Sequence, residues 1–166
     1  MTMRPFLLTR ILLAAGLFIV LHFLSSLLAL SCIAKIEVDA RFEQSDSFQA
    51  YYTVRGAFTD KQSVRTPSYQ PGTRMTTKID LKNHIVRKLR MDPGQQAGKV
   101  DVFSIRLLSF FGPPLSLGPQ QISQLFTASG DIASMRVVDD HVEIIANGPD
   151  PQLVCLSLPR FEHIGI

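Results

Sequence analysis

The hydrophobic pattern of this chain changes character once, at Ala34. From Ile11 the residues read ILLAAGLFIVLHFLSSLLALSCIA, apolar on every side of a helix, with no formal charge until Lys35. His22 and Ser25-Ser26 are the clearly polar interruptions before Ser31. About 20 apolar residues at ~1.5 Å each span the roughly 30 Å hydrocarbon core of a bilayer. Residues 11–34 are therefore expected to form a transmembrane anchor, with 1–10 as a cytoplasmic tail.

Beyond Ala34 the period falls to two, which is the mark of strands with one wet face. Lys35-Ile36-Glu37-Val38-Asp39-Ala40-Arg41 alternates charged and apolar positions. Phe48 to Val54 (FQAYYTV) is aromatic and β-branched, and Gly56 follows it. Residues 60–73, with Asp60, Pro67, Pro71 and Gly72, read as a loop. Arg74 to Leu81 places Met75, Thr77, Ile79 and Leu81 on one face. His84 to Met91 reads as another strand, with Ile85, Val86, Leu89 and Met91 as its apolar positions.

Asp92-Pro93-Gly94 is a turn, since proline fixes φ and glycine permits positive φ. Lys99 to Ser109 (KVDVFSIRLLS) then puts Val100, Val102, Ser104 and Arg106 on one side. Gly112-Pro113-Pro114 breaks that run. Gln120 to Thr127 suits a short helix or an irregular crossing loop. Asp131–Val138 and His141–Ala146 read as a hairpin around Asp139-Asp140. Gly148-Pro149-Asp150-Pro151 reads as a turn into a last strand, Gln152–Leu158. Roughly seven or eight short strands without a long helix predict an all-β domain over 35–158: an antiparallel two-sheet β-sandwich, jelly-roll-like. Residues 159–166 would be a C-terminal tail.

Charge changes this picture little. The 166 residues carry a formal net charge of +3, but Arg4 and Arg10 precede the apolar run and the remainder is near neutral. No basic face or tail offers a nucleic-acid phosphate footprint. The early arginines instead favour an amino terminus on the cytoplasmic side and a domain facing the periplasm or cell exterior of a bacterial inner membrane. A cleaved signal peptide would need a shorter apolar core, although Ala29-Leu30-Ser31 offers a small-x-small site. Lipidation of Cys32, after Leu28-Ala29-Leu30-Ser31, stays open as an alternative. Cys155, flanked by Leu153, Val154 and Leu156, reads as a buried small hydrophobe.

Chemistry is sparse. Serines are plentiful, yet no Gly-x-Ser-x-Gly elbow is present, and no His lies near Cys155 in sequence. The four histidines, His22, His84, His141 and His163, are scattered, so no metal site or cofactor is expected. Asp139 and Asp140 beside His141 read as a solvated hairpin tip. Carboxylates for hydrolysis would have to come from Asp92, Asp101 or Asp150, whose spacing is spatial and not legible. Aromatic faces with flanking polar groups remain, as used in sugar recognition. Tyr51 and Tyr52 are adjacent, so one points inward and the other outward, and Tyr69 lies in the polar loop.

Three segments in order carry a family resemblance. They are Phe48-Gln49-Ala50-Tyr51-Tyr52, Val86-Arg87-Lys88-Leu89-Arg90-Met91-Asp92-Pro93, and Gly148-Pro149-Asp150-Pro151-Gln152-Leu153. Together they resemble the extracytoplasmic β-sandwich of bacterial multi-spanning proteins linked to glycosyl transfer and surface-polysaccharide (O-antigen-like) assembly. Those proteins carry many membrane helices, whereas a single one is legible here, so the resemblance implies an envelope-sugar context without the transfer machinery. The expected function is a membrane-tethered, non-enzymatic accessory or carbohydrate-recognition module. Its ligand side chains would be Tyr51, Tyr52, Tyr69, Arg90 and Asp92, and its partners an envelope glycan or a membrane glycosyltransferase. A structural small subunit of a larger membrane complex, and a remnant of a multi-spanning glycosyltransferase, are the alternatives.

Overall fold

The computed structural model describes residues 5–109, 113–156 and 158, with side chains for all of these except 5–9, 25–32 and 82–84. A helix, α1 (Pro5–Ser31), passes without a linker into β1 (Cys32–Phe42). Side chains 10–24 of α1 are all exposed, Phe18 at 72%. Among the described residues, which in α1 include side chains only for 10–24, no helix is long and apolar enough to cross a membrane. The strands that follow are β2 (Phe48–Thr53), β3 (Ser63–Arg65), β4 (Arg74–Ile85), β5 (Lys88–Pro93), β6 (Gly98–Ser109) and β7 (Leu115–Leu117). A short helix α2 (Pro119–Leu125), β8 (Thr127–Val138) and β9 (His141–Cys155) complete the fold.

The expectation of an all-β antiparallel domain holds. The strands, however, are hydrogen-bonded into one sheet rather than two, in the order β3-β2-β5-β9-β6-β1-β4, with β7 on β6 and β8 on β9. Long strands serve both sides of the core. One end of β9 pairs β6 (Val142 with Val102, Ala146 with Gly98) and the other pairs β5 (Leu153 with Met91, Cys155 with Leu89). β8 runs along the opposite edge of β9 throughout. The strand order divides at β9 into two halves, here called leaves. The first holds β3, β2, β5 and the far half of β9; the second holds β4, β1, β6, β7 and the near half of β9. The outer edges, β3 and β4, touch, so the sheet is nearly closed in the manner of a barrel.

The bend has a local cause. The expected turn at Gly148-Pro149-Asp150-Pro151 is not a turn; it lies within β9. Pairing jumps from Ile132–Ala146 to Gly130–Pro151, so residues 147–150 oppose Asp131 alone in a large bulge. Two prolines cannot donate to a ladder, which suits them to a stretch where β9 changes partner. Bulges bend and coil a strand and so let one strand turn a corner. Two glycines permit this approach. Gly130 has φ +61°, and a Cβ there would overlap the Asp150 carbonyl; a Cβ on Gly148 would overlap the Asp131 carboxylate. That carboxylate accepts the Asp150 N–H at 2.9 Å.

One core fills the space between the leaves. Ile36, Val38 and Ala40 alternate inward from β1, as do Ile79 and Leu81 from β4 and Leu89 and Met91 from β5. Cys155 is buried there as expected, while the Cys32 side chain lies outside the described residues. In β6 the strict alternation fails. Val100, Val102, Ile105 and Leu107 face the core, whereas Ser104 and Arg106 do not. A bulge against β1 between Asp39 and Ala40 inserts Phe103 and reverses the phase. The 120–127 region resolves as helix as far as Leu125: Pro119 opens α2, the Gln121 side chain accepts the Gly118 N–H at 2.7 Å, and Ile122 is buried, while Thr127 opens β8. The predicted loop 60–73 contains a 3-10 turn at Asp60–Gln62 and the short β3. The single strand expected over His84–Met91 is divided between β4 and β5.

Candidate functional site

Alternation along β2 and β5 decides which predicted residues meet. Phe48, Ala50 and Tyr52 face the core, so Gln49 and Tyr51 face outward; Leu89 and Met91 face in, so Arg90 and Asp92 face out. Tyr51 is directly paired with Arg90, and Gln49 with Asp92. The Arg90 guanidinium lies 4.7 Å from the Tyr51 ring centroid. It donates to both oxygens of Asp92, Nε to Oδ1 at 2.7 Å and Nη2 to Oδ2 at 2.6 Å. Nη2 also donates to Asp150 Oδ1 at 2.9 Å, reaching the β9 bulge. Such fork-to-fork pairing fixes the guanidinium plane as well as its position.

Three of the five sequence-predicted residues, Tyr51, Arg90 and Asp92, thus form one cluster on the outer face of the first leaf. Hydrogen-bonding side chains surround it. Gln152 donates to Asp150 Oδ2, and Arg65 donates to Gln49 Oε1 and Gln95 Oε1. Asp92 is 7% exposed. Its burial pushes its carboxyl above the usual aspartate range, and Arg90 only partly opposes that rise. Arg90 is itself raised, chiefly by its hydrogen bond to Asp92. Burial outweighs the ion pair at the carboxylate, and the ion pair wins at the guanidinium. The Tyr51 hydroxyl is raised too, by burial and then by the Asp92 charge.

The other two predicted residues do not belong to the site. Tyr52 is buried because strand alternation turns it into the core. Tyr69, expected on a polar loop, is fully buried: its ring packs against Phe42 and Phe48, at centroid distances of 4.7 and 6.0 Å. Its hydroxyl donates to the Val38 carbonyl at 3.2 Å, and burial pushes that hydroxyl up to about 12. The 66–73 loop crosses between the leaves at one end of the domain. There Asp46 fastens it, accepting the Tyr69 N–H through its carbonyl and the Ser47 and Gln95 N–H groups through its carboxylate. A tyrosine on that crossing closes the core like a plug.

The second leaf carries a cluster that sequence reasoning missed. The bulged Phe103 lies outward under the Arg74 guanidinium, 3.7 Å from its centroid, with the His141 ring 5.4 Å away. Arg74 pairs with Asp39, Arg41 with Asp101, Arg106 and Lys78 with Glu37, and Lys99 and Arg136 with Glu143. Asp101 Oδ2 accepts from Arg41 at 2.6 Å, while its buried Oδ1 lacks a hydrogen bond and faces His141 Nε2 at 3.4 Å. Alternating charges in 35–41 and 74–81 signalled an outer face. Nothing local signalled the bulge that completes it.

Asp92 and Asp150 meet through Arg90, whereas Asp101 sits on the opposite leaf, so the three candidate hydrolytic carboxylates do not converge. Asp140 and His141 contact each other at 3.2 Å. Among the described residues no group of three or more His, Cys, Asp or Glu is arranged to hold a metal ion. No family model, no curated protein and no solved structure matches the chain.

Proposed function

We propose that this protein is a membrane-tethered, non-enzymatic recognition module of the bacterial envelope, and that the outer face of its first leaf binds a surface glycan. One observation carries the reading: Tyr51, Arg90 and Asp92 converge there, ringed by Gln49, Arg65, Asp150 and Gln152. Such a surface offers a partly exposed aromatic edge beside a fixed guanidinium, carboxylates and amides. Those are the donors and acceptors that sugar hydroxyls match in pairs, on an already ordered set of rotamers.

Tethering rests on α1. Its 27 residues at ~1.5 Å each reach roughly 40 Å, more than a hydrocarbon core requires. Its described side chains are exposed on every side, which suits lipid better than water. The segment 11–34 would be the anchor, with the β domain on the periplasmic or outer side. The ordered motifs around Tyr51, Arg90 and Asp150 support an envelope-glycan setting.

Titrating the full chain in lipid nanodiscs with lipopolysaccharide-derived oligosaccharides tests this reading. Saturable chemical-shift changes centred on Tyr51 and Arg90, abolished by Tyr51→Ala, are expected. Absence of any change at millimolar glycan sinks it.

A further inference from the structure

Among the described residues, the end of the β domain that meets α1 gathers exposed apolar side chains and cations. Strand register brings it together. Cys32 pairs with Ile85 where α1 becomes β1, and Ile33 pairs with Ser109. On the first leaf Thr53 pairs with Lys88, and Leu89 with Cys155. The two leaves join at this end through the short link from Ile85 of β4 to Lys88 of β5. There the Arg87 N–H donates to the Thr53 carbonyl at 3.0 Å and the Leu158 N–H to the Arg87 carbonyl at 3.2 Å, extending the pairing of the first leaf.

Large apolar side chains are exposed there. Val54 is 38% exposed, Ile85 50% and Leu156 67%. Outside α1, among the described residues, the other exposed large hydrophobics are Val137 and Ile145, both on the β8–β9 hairpin. Beside these three lie exposed cations, Arg55 and Arg87, with Lys88 half-buried next to them and Lys35 exposed just inside β1. Among the described residues, the acidic neighbour is Asp80, paired with Lys35 across the strands. The Arg74, Arg106 and Lys99 cations of the second leaf are committed to carboxylates, whereas this end combines cations with unburied hydrocarbon.

We infer that this end docks on the surface of the bilayer that holds α1, with Val54, Ile85 and Leu156 entering the interface and Arg55, Arg87 and Lys88 meeting anionic phospholipid headgroups. The inference rests on the anchoring reading of α1. Two features of the molecule select lipid as the occupant: the surface is continuous with a helix that is apolar from Ile11 to Leu21, and its charge is complementary to an anionic leaflet. Apolar side chains at the level of the headgroups with flanking Lys and Arg are the composition of interfacial contacts. Docking would fix the tilt of the domain and hold the Tyr51 face at a set height above the membrane.

The chain contains no tryptophan, so single-tryptophan variants report depth cleanly. Phe18→Trp, Val54→Trp, Leu156→Trp and Gln70→Trp are placed in the full chain and reconstituted in nanodiscs containing phosphatidylglycerol and lipids brominated high on the acyl chains. Gln70 is exposed on the crossing loop at the opposite end. Expected results are strong quenching at position 18, intermediate quenching with a blue shift at 54 and 156, and none at 70. Arg87→Glu with Lys88→Glu, added to Val54→Trp, should lose most of that quenching. Quenching at 18 with 54 and 156 behaving like 70 overturns the docking and leaves the anchor standing. An unquenched position 18 overturns both. An unchanged Val54→Trp signal after charge reversal overturns the headgroup contact.

Discussion

The two outer faces of the β domain use charge in opposite ways. On the second leaf, Glu37, Asp39 and Glu143 lie against cations of neighbouring strands at 2.6–3.2 Å, and Arg74 caps Phe103. Apart from the buried Asp101 Oδ1, which lacks a hydrogen bond, that face pairs its charges internally, as cross-strand ion pairs on a sheet do. On the first leaf a single guanidinium joins two carboxylates and a tyrosine, and the carboxylate beneath it is held above its ordinary range by burial. Glu143, by contrast, is held below the usual glutamate range by hydrogen bonds from Lys99 and Arg136. The face of the first leaf thus keeps a disfavoured carboxylate beside an aromatic ring, whereas that of the second pairs its charges with one another.

Both faces depend on the core they share, so the largest effect should come from its closure. Phe48 joins Phe42 and Tyr69 where the chain crosses between leaves. Phe48→Ala is expected to cost about 3–5 kcal/mol, as large-to-small changes at buried aromatics do, and to loosen both faces. Denaturant unfolding monitored at Tyr51 and at His141 by NMR should show coincident loss. Separate transitions would mean that the leaves fold independently.

The bend comes next. Gly130→Ala forces a side chain into positive φ and against the Asp150 carbonyl. A cost of ~1–3 kcal/mol is expected from such strain, together with displacement of Asp150 from Arg90. Chemical shifts should move around Arg90 and stay fixed around Arg106. Equal movement at both would erase the distinction between the faces.

The carboxylates sharpen the contrast through pH. A lowered value, as at Glu143, contributes stability that is present above the ordinary glutamate range and lost as pH falls through the lowered value. Glu143→Gln should therefore reduce Tm at neutral pH, the deficit closing on acidification. A raised value, as at Asp92, contributes stability present below the ordinary aspartate range and lost as pH rises through the raised value. Asp92→Asn should leave neutral-pH Tm level or higher, the difference again closing in acid. Melting curves across this range decide it; deficits of the same sign for both variants would refute the contrast.

The smallest effect is expected at the rim of the second leaf. Lys78 is 68% exposed in its pair with Glu37, which also holds Arg106. Lys78→Ala should change stability by about 1 kcal/mol or less, less still at high salt. A larger loss would show that the ion-pair face is a cooperative network.

Much of the fold was legible in local pattern, because a period of two needs only near neighbours. Ile36-Val38-Ala40, Ile79-Leu81 and the opposite facing of Tyr51 and Tyr52 follow from strand geometry alone; that Tyr51 is the outward one came from the fold. The readings failed where a residue's phase depends on a distant partner. Phe103 faces outward because of a bulge set against β1, and Tyr69 is buried because a crossing loop caps the core. The Gly148–Pro151 segment stays in β9 because Gly130 and Asp131 on β8 receive it.

The chain by itself determined the apolar helix, the antiparallel strands and, apart from β6, which side of each strand is wet, since these are set by side-chain order along one segment. Only tertiary structure decided that the strands join in one bent sheet, that Asp150 meets Arg90 across 60 residues, and that Val54, Ile85 and Leu156 share one end. Hydrogen-bond register between strands far apart in sequence carries that information, and no single segment contains it.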